Sequence, residues 1–222
     1  MRIAGLVKNS FVDYPGLIAA VVFVPGCNMD CWYCHNRALW KNADLLDTAE
    51  ILSFLEKRRG FLDGVVISGG EPTLQKDLPQ FIQSVKQMGY RVKLDTNGLK
   101  PETVEELLFD LDYVAMDVKA PPGQLFRVVS FELDDAAIWR TADMLMSSGV
   151  DHEFRTTFMP TLDAEDIRQI AQRISGAKRY VIQQYRKTQD RKLCPEPHKA
   201  ETIKKAAEAA GQYVRDMVIR GL

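Results

Sequence analysis

Leu17-Ile18-Ala19-Ala20-Val21-Val22-Phe23-Val24-Pro25-Gly26-Cys27-Asn28-Met29-Asp30-Cys31-Trp32-Tyr33-Cys34 joins an unbroken apolar run to three cysteines. A run of this length without polar interruption is what a strand buried on both faces requires, and such strands belong to parallel sheets. Pro25 and Gly26 end it, and the thiols follow at once. A strand that delivers reactive side chains at its C-terminal end sets the pattern for the rest of the chain.

Five more strand-like runs follow, at 64–68, 91–95, 113–117, 153–158 and 179–183, after a first at 18–24. Amphipathic helical stretches lie at 48–58, 78–88, 101–109, 135–148, 164–175 and 199–218. Thr48 and Asp163 stand where helix N-caps belong, and Gly89 and Gly149 where helices end. Six strands alternating with helices predict an α/β fold with a parallel sheet and helices outside it. Periodicity does not separate an open sheet from a curved partial barrel. The alternation runs unbroken from about residue 18 onward, with no repeat or linker, and predicts a single domain over 1–222.

The 222 residues are 46% hydrophobic and 27% charged, which suits a globular domain with a sizeable core. Twenty-nine basic and 30 acidic residues leave a net charge of -1, so the balance asks for neither nucleic acid nor an anionic membrane. The apolar run 17–24 is too short to span a bilayer, and MRIAGLVKNS lacks the apolar stretch of a signal peptide. A cytoplasmic location is expected. Three of the four cysteines fall within residues 27–34, which speaks for a metal or redox centre rather than a disulfide framework.

The spacing Cys27-x3-Cys31-x2-Cys34 puts three thiolates on one tight loop. Three thiolates can bind three irons of a [4Fe-4S] cubane and leave the fourth open to a ligand, whereas four-cysteine clusters serve mainly as electron carriers. A zinc site with His35 is the competing reading, but adjacent Cys34 and His35 would struggle to reach one tetrahedral ion. Tyr33 could pack against an adenine or simply within its loop.

Polar residues also collect at the ends of the other predicted strands: Ser68-Gly69-Gly70-Glu71-Pro72, Asp95-Thr96-Asn97-Gly98, Met116-Asp117-Val118-Lys119 and Arg155-Thr156-Thr157. In parallel α/β folds that edge is where active sites are built. Gly69 and Gly70 allow a backbone to approach a ligand closely, or make a plain turn. The acid and lysine pairs could hold a cation, a ribose or a carboxylate, or form surface salt bridges of little worth, ~0–1 kcal/mol. Arg155 inside an apolar strand is expensive to bury unpaired, so it needs a carboxylate: a ligand's, or that of Asp117.

The cysteine loop after a first strand, with an aromatic residue before its last cysteine, resembles the signature of the radical S-adenosylmethionine superfamily. The resemblance implies a partial (β/α)6 barrel and reductive cleavage of S-adenosylmethionine by a [4Fe-4S] cluster on Cys27, Cys31 and Cys34. It further implies that Gly69, Gly70 and Glu71 bind the methionine amino group. Asp-Thr-Asn-Gly and Met-Asp-Val-Lys resemble paired motifs of glycyl radical enzyme activases. On that likeness Asp95, Thr96 and Asp117 line a monovalent cation site beside the cofactor carboxylate, and Lys119 and Arg155 contact the cofactor. Ser10-Phe11-Val12-Asp13-Tyr14-Pro15-Gly16 resembles the Asp-x-Pro-Gly segment of these activases, which implies that Asp13 meets the glycine loop of a partner enzyme. Flavodoxin or ferredoxin is the implied reductant.

Pyruvate formate-lyase activases carry a histidine after the sixth strand, where this chain has Gln184-Tyr185-Arg186. That departure and the compact length resemble instead the small activating proteins of anaerobic ribonucleoside-triphosphate reductase. A small-molecule radical enzyme of the carboxy-deazaguanine synthase type is the enzymatic alternative, and an electron carrier or zinc module the non-enzymatic one. Cys194, alone in Leu193-Cys194-Pro195, reads as a loop thiol without a cluster role.

Overall fold

The computed structural model describes residues 1–39, 44–187 and 195–222, so Cys194 lies outside the described residues. These residues form two compact units, each assembled from three stretches of chain: Met1–Asn28, Asn36–Thr96 and Glu102–Ala115 in the first, and Met29–His35, Asn97–Pro101 and Met116–Leu222 in the second.

In the first unit, β1 (Gly5–Ser10) pairs antiparallel with β2 (Ala19–Val24), and β2, β3 (Gly64–Gly69) and β4 (Arg91–Thr96) follow in parallel. The registers Ala19↔Gly64 and Gly64↔Arg91 bring the strand starts level. Helices α1 (Thr48–Lys57) and α2 (Leu78–Gln87) make the crossovers, as parallel pairing demands. Asp47, rather than Thr48, caps α1 by accepting the Ala49 N–H at 2.8 Å, while the Thr48 hydroxyl turns to the Met1 carbonyl. The core joins Ala19, Val21 and Val66 to Tyr14, Tyr113 and Ala115, with the two tyrosine rings 5.8 Å apart. Helix α3 (Pro101–Leu107) and β5 (Tyr113–Asp117) complete the first half of the chain.

In the second unit, β6 (Asp151–Phe158), β7 (Tyr180–Gln184) and β8 (Met217–Arg220) are parallel. They are connected by α5 (Ala164–Arg173) and α6 (Ala200–Gly211), and α4 (Ala136–Ser148) precedes β6. Asp163 caps α5 as expected and forms a capping box with Asp166. Gly149 ends α4 in the left-handed region, at φ 81°, which only glycine enters without strain.

Two strands differ from the sequence reading. Residues 5–10 are half polar and β1 has one neighbour, so neither burial nor alternation announces it. The helix expected over 199–218 stops at Gly211, and its last residues enter β8 instead. Val214, Met217 and Val218 continue a helical stripe as well as they fill a strand. The ladder to β7 and the paired hydrogen bonds from Arg220 to the fully buried Glu153 carboxylate, both 2.8 Å, decide for the strand.

Candidate active site

The loops that follow the strands carry most of the candidate site residues in both units. In the first, β2 runs into Pro25, Gly26 and Cys27, and β3 ends at Gly69. The Gly70 and Glu71 amides donate to the Val24 and Gly26 carbonyls at 2.9 and 2.8 Å. A Cβ on Gly70 would stand 1.7 Å from the Gly26 carbonyl oxygen, and one on Gly69 would stand 2.4 Å from the Val24 nitrogen. The glycine pair therefore brings one strand-end loop onto the backbone that leads to the cysteines. Asn36 closes the same region by donating to the Gly69 carbonyl at 3.0 Å.

Glu71 is buried, and its Oε1 accepts from the Thr73 amide and hydroxyl and from the Thr96 hydroxyl at 3.1, 2.6 and 2.8 Å. It caps the short 3-10 turn Pro72–Leu74 and ties the β3 loop to the end of β4. Asp95 accepts from the Ser68 hydroxyl at 3.1 Å and from Lys93 Nζ at 2.6 Å. Lys93 was not singled out from sequence, yet its side chain is only 2% exposed. The signal was present: a lysine within an apolar strand with an acid two residues on, hence on the same side. Asp13 is exposed, and accepts the Ser10 hydroxyl at 2.5 Å in a tight turn whose Phe11 and Val12 project into solvent.

In the second unit, Asp117 ends β5 between two cations. Lys119 Nζ lies 2.8 Å from Oδ2, and Arg155 Nε lies 2.9 Å from Oδ1. Arg155 sits inside β6 rather than at its end, and Asp117 is the carboxylate that its burial requires. Burial alone would raise the Asp117 pKa, but Arg155 and Lys119 outweigh it and hold the carboxyl at about 2. Burial likewise works against charge on Lys119, and Asp117 overcomes it, so the ammonium stays protonated. The buried Tyr33 ring has Lys119 Nζ 5.8 Å from its centroid, and desolvation pushes its hydroxyl pKa up, so it remains a neutral phenol. The tyrosine before the last cysteine is thus part of the Asp117–Lys119 cluster.

Cys31 is buried and Cys34 half-buried, and the Cys34 amide donates to the Cys31 carbonyl at 3.3 Å. Cys27 is half-buried, and among the described residues no disulfide involves these three cysteines. His35 is exposed. Among the described residues no three His, Cys, Asp or Glu side chains meet in the way a single metal ion requires. A cubane makes a different demand, one thiolate for each of three irons. The spacing Cys27-x3-Cys31-x2-Cys34 supplies that number of thiols.

A family profile, the radical SAM superfamily, matches residues 21–174. This chain belongs to the radical SAM superfamily. A protein of Methanocaldococcus jannaschii, named as a glycyl-radical enzyme activating enzyme, is 36% identical over 98% of this chain and 95% of its own length. The pyruvate formate-lyase-activating enzyme of Clostridium pasteurianum is 30% identical over 80% of this chain and 77% of its own. The crystal structure of Streptococcus suis SuiB superposes with a TM-score of 0.73 over 89% of this chain at 15% identity, and this chain spans 48% of SuiB. The likeness to SuiB shows the α/β fold with mostly parallel strands that the sequence predicts. The family implies an enzyme that uses a [4Fe-4S] cluster and S-adenosylmethionine. No helix among the described residues is long and apolar enough to cross a membrane.

Proposed function

We propose that this chain activates a glycyl radical enzyme. The observation that carries the reading is the 36% identity to a relative so named, extending over nearly the whole of both chains. With a [4Fe-4S] cluster and S-adenosylmethionine bound, one electron splits the sulfonium–C5′ bond to methionine and a 5′-deoxyadenosyl radical, which takes a hydrogen atom from a glycine Cα of the partner. Cys27, Cys31 and Cys34 would hold the cluster. Gly69, Gly70 and Glu71 would receive the methionine amino group. Lys119, whose ammonium has three donors and gives one to Asp117, would take the carboxylate with Arg155. Tyr33, neutral and buried, would face the adenine. Asp95, Thr96 and Asp117 would bind a monovalent cation, and Asp13 would meet the partner's loop. Flavodoxin or ferredoxin would supply the electron.

Anaerobic ribonucleoside-triphosphate reductase is the finer assignment of the partner, supported by Gln184-Tyr185-Arg186 after β7. Pyruvate formate-lyase is the second, supported by the 30% identity to its activating enzyme. Anaerobically reconstituted, dithionite-reduced protein should convert S-adenosylmethionine to 5′-deoxyadenosine and methionine. Absence of both products overturns the enzymatic reading. Mixing with each candidate partner should then produce a glycyl radical EPR signal with one of them; product without a radical on either overturns both partner assignments.

A further inference from the structure

The connection between β5 and α4 carries more than Lys119. Its residues 128–130 lie antiparallel to residues 30–32 of the cysteine loop, with Val129 opposite Cys31. The Trp32 amide donates to the Val128 carbonyl, and the Ser130 amide to the Asp30 carbonyl, each at 3.0 Å. These bonds hold the peptide groups on both sides of the Cys31 Cα. With both flanking peptides held, φ and ψ of Cys31 are set, and with them the direction of its Cα–Cβ bond. Side chains add to the pairing. Trp32 Nε1 donates to the Val129 carbonyl at 3.1 Å, and the Ser130 hydroxyl reaches the Asp30 carboxylate at 2.6 Å.

The pairing strand is itself anchored. Val128 and Val129 are buried, and their amides donate to the Leu125 carbonyl at 3.0 and 3.1 Å. The preceding residue, Arg127, is held by Asp166 Oδ1 at 2.7 Å and by the Thr161 carbonyl. Asp166 belongs to the capping box that starts α5. A chain of short contacts therefore runs from a helix start to the backbone of the second cysteine.

We propose that residues 128–130 are a strap that positions Cys31 for its iron, with Ser130, Asp30 and Trp32 as positioning residues. The proposal rests on Cys31 being a cluster ligand. Groups that orient metal ligands change metal retention when removed, commonly by ~10–100-fold. A bridge that served the fold alone would alter the unfolding midpoint and leave iron untouched. Ser130 and Trp32 are exposed enough for their side-chain bonds to be removed with little effect on global stability.

The test uses the full chain as wild type, Ser130→Ala, Trp32→Phe and the matched control Ser147→Ala, whose serine bonds only within α4. Each is reconstituted anaerobically with iron and sulfide. Iron per chain, the rate of iron loss to a chelator, the unfolding midpoint and Trp32 amide exchange in the metal-free chain are then measured. Ser130→Ala and Trp32→Phe should lose iron ~10-fold faster and exchange the Trp32 amide faster at an unchanged midpoint, while Ser147→Ala behaves as wild type. If wild type loads normally and both variants hold iron equally well, the strap is overturned and the cluster assignment stands. If wild type takes up no iron, both fall together.

Discussion

Lys93 with Asp95 in the first unit and Asp117 with Lys119 in the second are the same two residue types at the same spacing, each at a strand end, yet they do different work. Lys93 precedes its acid and lies within β4, with its side chain 2% exposed and its charge directed to Asp95 at 2.6 Å. Lys119 follows its acid, beyond the end of β5, where it touches Asp117 at 2.8 Å and stands over the Tyr33 ring. The first lysine is part of the sheet, where it neutralises the Asp95 carboxylate. The second stands on the connection whose residues 128–130 pair with residues 30–32, and its acid is already held by Arg155 at 2.9 Å. Position makes the difference: Lys93 lies within β4, whereas Lys119 lies beyond the end of β5.

The largest effect tests the cysteine loop that Lys119 adjoins. Cys31→Ala should reduce 5′-deoxyadenosine formation to background while the purified chain keeps its circular dichroism spectrum; retained activity refutes the cluster assignment. The next contrast sets the two lysines against each other. Lys93→Met should lower unfolding free energy by about 3 kcal/mol, since it removes the neutralising cation from a largely buried carboxylate, and Lys93→Met with Asp95→Asn should recover much of that loss. Lys119→Met should cost about 1 kcal/mol of stability, because Arg155 still neutralises Asp117, but should weaken S-adenosylmethionine binding ~10-fold or more. Urea unfolding and equilibrium binding distinguish the two patterns. Identical patterns for the two lysines would erase the contrast.

Acid sharpens it further. The Asp117 carboxyl titrates at about 2, below the usual carboxylate value of ~4. The unfolded chain takes up this proton first, so the stabilisation from Asp117 is complete above pH ~4 and is lost as pH falls through about 2. The stability gap between wild type and Asp117→Asn should therefore be constant down to pH ~4 and close below it. A gap that closes near pH 6 would show that Arg155 and Lys119 do not hold the charge. The smallest effect belongs to His152, whose burial lowers its pKa at the opposite end of β6 from the loops. Its sign is that of a histidine buried neutral: the unfolded state protonates first, and stability falls as pH drops below ~6.5. His152→Phe should flatten the loss of urea midpoint between pH 7.5 and 5.5, and an unchanged slope would assign that loss elsewhere.

Strands β2, β3 and β5 were legible because their apolar runs are buried on both faces and need no partner to be recognised. The acids and glycines after them were legible by position, and the cost of an unpaired buried guanidinium called for a carboxylate at Arg155, a ligand's or that of Asp117, of which the structure pairs it with Asp117. Lys93 escaped notice because a lone lysine in a strand is ordinarily a solvent-facing residue, and its burial to 2% exposure is a property of the fold. β8 escaped because residues 214–218 suit a helix as well as a strand until β7 offers a ladder.

Local order along the chain decided what lies near the cysteines in sequence: Gly26 before them, Tyr33 among them, and the strand that carries them. Those features need only short-range chemistry. The tertiary structure alone decided that Ser130 meets Asp30, that Arg220 meets Glu153 and that Thr96 meets Glu71, across separations of 100, 67 and 25 residues. Such contacts have no periodicity and no spacing to reveal them. The contacts to Glu153 and Glu71 form because buried acceptors must be satisfied, the exposed Ser130–Asp30 bond follows the backbone pairing of 128–130 with 30–32, and each destination is a property of the folded molecule.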